Sequence, residues 1–118
     1  MSTLKVDALQ DTSGNGFYPT RAWVNLNGTG TVAIRGDENV SSITDNSTGS
    51  YTANYSNNFA DANYAASGVV NNIGQGAECW QIHSTSQVPT ASLIRVHSTR
   101  SGASFDATFV NVMVTGNM

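Results

Sequence analysis

From Tyr18 onward, apolar and polar side chains alternate with a period of two, the spacing that sends successive residues to opposite faces of a sheet. Ala22, Val24 and Leu26 alternate with Trp23 and Asn25, and the Asn27, Gly28, Thr29, Gly30 tetrad that follows predicts a hairpin. The return strand is expected over residues 31–35, with Val32 and Ile34 sharing a face. A second hairpin is predicted from residues 40–44, a turn over 45–49, and a strand in which Tyr51, Ala53 and Tyr55 share a face. Residues 64–70, 78–84, 92–98 and 108–115 also carry strand composition, so the working count is about eight strands. In the last of them Val110, Val112 and Val114 should be core. Phe109 and Met113 lie on the other face, which a partner would have reason to cover.

No window carries an uninterrupted helical stripe of apolar residues. Short strands separated by Gly, Asn and Ser turns predict an all-β fold, a small antiparallel β-sandwich. The first residues read differently. Leu4, Val6 and Leu9 are the apolar anchors that precede a turn-rich cluster at residues 11–16. Residues 1–18 are therefore expected to form an extended arm and linker, and residues 19–118 the sandwich. Apolar residues without a home in their own domain can find one on a neighbouring subunit.

Composition narrows the function. The chain has 118 residues, enough for one domain with its own core. Only 11% of them are charged, with a net charge of −3, whereas Ser, Thr and Asn supply 40. Five scattered basic residues make no footprint for nucleic acid. No apolar run approaches the roughly 18 residues of a membrane span. Residues 1–10 lack the basic-then-apolar pattern of a secretory signal, so folding in a cytoplasm is expected.

Catalytic chemistry finds little material. Cys79 is the only cysteine, which excludes an internal disulfide. His83 and His97 could approach if their strands pair, but two imidazoles do not make a zinc site, and no further ligands stand at metal spacing. The glycines at 14 and 16, and at 28 and 30, lack the remainder of a phosphate loop. Asp37, Glu38, Asp45, Asp61 and Asp106 are expected in turns, capping backbone amides. Trp23, Tyr51, Tyr55, Tyr64, Trp80 and Phe109 could stack on sugars if exposed, although in a small β domain the core is their expected place. No enzyme, cofactor or metal is read from these residues.

The run RAWVNLNGTGTVAIR over residues 21–35, NVSSITDN over 39–46 and GSYTANY over 49–55 closely resembles a module of bacteriophage tail-fibre and related virion proteins, many of them from aquatic phages. DANY over 61–64 and FVNVMV over 109–114 look like later parts of that module, and STLKVD over 2–7 is similar to the start that often precedes it. The resemblance implies a non-enzymatic structural protein of the virion, assembled in the host cytoplasm: a trimeric tail-fibre-like or surface appendage module. Leu4, Val6 and Leu9 would dock its arm to other virion proteins of tail or head. The alternatives are a capsid decoration protein, or a receptor-recognition module that binds host surface glycan through loop residues such as Asn72, Gln75 and Gln87.

Overall fold

A computed structural model describes residues 2–16, 19–71, 78–82 and 88–118. Asn72, Gln75, His83 and Gln87 lie outside the described residues. The fold is all-β, with nine antiparallel strands: β1 (Ala22–Asn27), β2 (Ala33–Glu38), β3 (Val40–Ser47), β4 (Ser50–Tyr55), β5 (Ala65–Asn71), β6 (Glu78–Ile82), β7 (Leu93–Arg100), β8 (Ala103–Ser104) and β9 (Phe109–Thr115). They form two sheets, one in the order β2-β1-β9-β5 and the other in the order β3-β4-β7-β6, with β8 also paired to β7. The two-residue β8 is the strand that alternation could not predict, being too short to show a period.

The core lies where period two puts it. Ala22, Val24 and Leu26 of β1 face Val110, Val112 and Val114 of β9 in register, and all six are buried. Each fully buried valine or leucine stabilises the fold by about 1.5–3 kcal/mol relative to exposure. The second sheet contributes Tyr51, Ala53 and Tyr55 from β4, with Ile94 and Val96 from β7. Tyr55, Phe59 and Tyr64 close one region of this core as an edge-to-face and tilted cluster with ring centroids 4.9–5.8 Å apart.

Val32 packs against the core and Ile34 stands opposite the buried Leu26, on the face expected of both, although Ile34 is 36% exposed. One expectation about the first hairpins needs correction. Asp37 and Glu38 sit within β2, and Asp45 within β3, because both strands run further than the turn residues suggested. β2 and β3 are nearly one continuous ribbon that leaves one sheet and joins the other at Asn39. Asn39 adopts a left-handed backbone (φ 58°), which asparagine tolerates better than most residues. It also anchors the corner: its Nδ2 donates to the Asn57 carbonyl at 3.0 Å, and its Oδ1 accepts the Asn57 amide at 2.7 Å.

Residues 2–16 contain no strand and only an isolated bridge between Gln10 and Gly16. Asp11 organises the turn between them, since its Oδ1 accepts the amides of Ser13 and Asn15 at 2.8 and 2.9 Å. The Asn15 side-chain amide donates to Oδ2 at 2.9 Å, and these bonds hold the Asp11 carboxyl below its usual range.

Candidate association surface

The two outward faces of the sandwich differ in chemistry. On the β3-β4-β7-β6 sheet, register places Ser42, Thr44, Thr52, Asn54, Arg95 and His97 outward. These side chains bond to one another: Asn54 Nδ2 donates to Ser42 Oγ and Thr44 Oγ1 at 3.2 and 3.1 Å, and Asn46 Nδ2 to Thr52 Oγ1 at 2.8 Å. Arg95 Nε reaches Ser50 Oγ at 2.8 Å. The face is polar and satisfied within itself.

The outward face of the β2-β1-β9-β5 sheet is mixed, with large apolar side chains set among polar ones. One cross-strand row reads Glu38, Trp23, Met113, Ser67, and the next reads Gly36, Asn25, Asn111, Val69. In the following row Phe109 stands opposite Asn71. Trp23, Phe109, Met113 and Val69 are 40%, 41%, 50% and 60% exposed, so this face carries large apolar groups that the fold leaves in water. An open depression of about 470 Å³ runs beside Trp23, Asn25, Asn111 and Met113. Within it Asn111 Oδ1 is buried without a hydrogen-bond partner. The expected core position of Trp23 is thus overturned; for Phe109 the alternation of β9, and not the general preference of aromatics for the core, gives its place, outward with Met113.

A bulge shapes one side of this face. The β1–β2 register slips between Asn25, opposite Gly36, and Leu26, opposite Ile34, which leaves Arg35 as the extra residue. A bulge re-aims its side chain across the sheet. Arg35 Nη1 donates to Asn25 Oδ1 at 3.2 Å and to the Leu26 carbonyl at 2.9 Å, and Nη2 donates to the Thr108 carbonyl at 2.6 Å. Its guanidinium carbon lies 4.2 Å from the centre of the Phe109 ring. The rigid fork therefore holds three strands and one aromatic in place. Nothing in the sequence pattern marked Arg35, because the slip that aims it depends on pairing with β1.

Among the described residues, no three of His, Cys, Asp and Glu come together. Cys79 is free and exposed on β6. His97 Nε2 lies 3.3 Å from Ser104 Oγ. β6 and β7 pair, with Ile82 opposite Val96, and His83 lies outside the described residues. Asp61 and Asp106 cap amides as expected, Asp61 that of Asn63 and Asp106 that of Gly49, each at 2.8 Å. The strongly perturbed groups are structural phenols. Burial, reinforced by Asp106, pushes Tyr51 well above its ordinary range; burial also raises Tyr55 and Tyr64. Tyr64 is oriented by the carbonyls of Thr90 and Leu93, each 2.9 Å from its hydroxyl.

The arm residues Leu4, Val6 and Leu9 are 80%, 56% and 55% exposed. Residues 6–10 flank an open cleft of about 780 Å³ whose other wall is Pro19, Arg21 and residues 115–117. No helix among the described residues is long and apolar enough to cross a membrane. No family model, curated protein or solved structure matches the chain.

Proposed function

We propose that this protein is a non-enzymatic structural part of a bacteriophage virion, a small trimeric tail-fibre-like or surface appendage module. It works by adhering to copies of itself, while its N-terminal arm docks it to the particle. The observation that carries this reading is the contrast between the sheet faces: one is a self-satisfied polar ladder, and the other exposes Trp23, Met113, Val69 and Phe109 around a buried, unpartnered amide oxygen. Burying that apolar area on a neighbour is the favourable step. The family resemblance supplies the virion setting, and the sparsely charged, Ser-, Thr- and Asn-rich composition suits wet contacts between subunits.

The mass of the purified assembly, combined with its copy number per particle, tests this. A trimer present in few copies supports a tail appendage. Hundreds of copies would move the protein to the head shell as a decoration protein. A chain that stays monomeric at high concentration and captures host glycan would replace the assembly reading with receptor recognition.

A further inference from the structure

Each sheet ends in strands whose outer backbone groups have no strand partner among the described residues: β2 and β5 in one sheet, β3 and β6 in the other. An open edge invites another chain to pair, and proteins blunt edges with charge, proline, bulges or shortness. Three of the four are blunted. β2 carries Arg35, Asp37 and Glu38 and the bulge beside Asn25. β3 carries Asp45 and two register slips against β4. β6 is five residues long and starts with Glu78, which lies 3.8 Å from Arg100. Among the described residues, β5 has none of these devices. Its sequence, AASGVVN, holds no charge and no proline, its seven residues pair with β9 without a slip, and its own Val69 is exposed.

The chain also carries a segment suited to such an edge. In residues 3–9, Leu4, Val6 and Ala8 alternate with Lys5, Asp7 and Leu9; the stretch matches the seven residues of β5 in length and its two charges cancel. Among the described residues it pairs with no strand of its own chain, and Leu4, Val6 and Leu9 are each more than half exposed. We propose that residues 3–9 of one copy add as a strand to the outer edge of β5 of a second copy. This rests on the assembly reading above and names the receiver of the arm. Main-chain hydrogen bonds supply the attachment, and the arm's apolar side chains extend the face that already exposes Val69 and Met113. The contact is head-to-tail, so it closes into a ring such as a trimer when the rotation between copies permits.

The test compares the full chain with one lacking residues 2–9, by native mass and by amide hydrogen exchange. The full chain should appear as a multiple of 12.4 kDa and the shortened one as a folded single chain. A synthetic peptide of residues 2–10, added to the shortened chain, should slow exchange of alternate β5 amides at least about tenfold and leave β2 and β3 unchanged. An unchanged mass after the deletion, or protection appearing on β2 or β3, overturns the proposal. So does a full chain that is monomeric yet protected at β5, because its own arm then fills the edge. Trp23→Glu separates the two ideas: it should weaken face-to-face assembly while the peptide still protects β5, so the face reading and the arm reading can fail independently.

Discussion

The hydroxyl of Tyr51 lies 3.0 Å from Asp106 Oδ1, across 55 residues of chain, and equally close to the Gly28 carbonyl. The same carboxylate oxygen accepts the Gly49 amide at 2.8 Å. The Gly28 amide donates to the Ala107 carbonyl at 2.8 Å, and the Ser98 amide to the Gly49 carbonyl at 2.7 Å. Two hairpin turns and the approach to β9 thus meet at one buried phenol. Tyr51→Phe should destabilise the fold by about 1–3 kcal/mol, since the acceptors it leaves lose their donor. Urea unfolding of both proteins measures it.

Tyr55 behaves oppositely. Its hydroxyl is buried without a hydrogen-bond partner, so it carries a desolvation cost that no bond offsets. Tyr55→Phe should leave stability unchanged or raise it by up to about 1 kcal/mol. The same denaturation experiment reads this, and a large loss would show that the hydroxyl is bonded.

The buried phenols make the fold sensitive to alkali. Tyr51 and Tyr55 keep their protons in the folded state well above the pH at which an unfolded tyrosine ionises. Their contribution is complete below about pH 10, and above it the unfolded chain holds fewer protons, so stability falls by up to about 1.4 kcal/mol per pH unit for each. Unfolding free energies from about pH 8 to 11.5, followed with phenolate absorbance, should show the decline begin near the ordinary tyrosine value of about 10. Tyr55→Phe should make it shallower.

Gly49 is required by its backbone and by its neighbours. It sits at φ 70°, and a methyl group there would stand 2.6 Å from the Ser98 carbonyl oxygen and 2.7 Å from that of Phe105. Gly49→Ala should cost at least about 2 kcal/mol or prevent folding, because backbone atoms cannot step aside as a flexible side chain can. Circular dichroism melting checks this.

The apolar face should control assembly without controlling the fold. Met113→Glu, at a half-exposed position, should leave the monomer's stability within about 0.5 kcal/mol of the parent and weaken self-association at least about tenfold. Gln81→Lys, on the polar outer face, should leave assembly intact. Sedimentation of the two variants side by side distinguishes an association surface from a general loss of solubility.

Much of the fold is legible in neighbouring residues. Val110, Val112 and Val114 announce their inward face through alternation alone, and the Gly28 turn announces its hairpin. The exposure of Phe109 and Met113 follows from the same parity, so half of the exposed apolar groups of the candidate surface could be read directly. Trp23 obeys that parity too; the general preference of aromatics for the core pointed the wrong way, since strand geometry decides the side on which a residue lies.

What alternation and turn chemistry determined by themselves is therefore the all-β strand content and the inward valines. Only the tertiary structure decided that the ribbon changes sheets at Asn39, that a slip against β1 swings Arg35 over Phe109, that Asp106 meets Tyr51, and that β5 ends its sheet among the described residues. Side-chain parity and turn preference are local steric properties, written within a few adjacent residues. Register, sheet order and edge position arise when segments tens of residues apart compete to bury the same apolar surface and bond the same backbone groups.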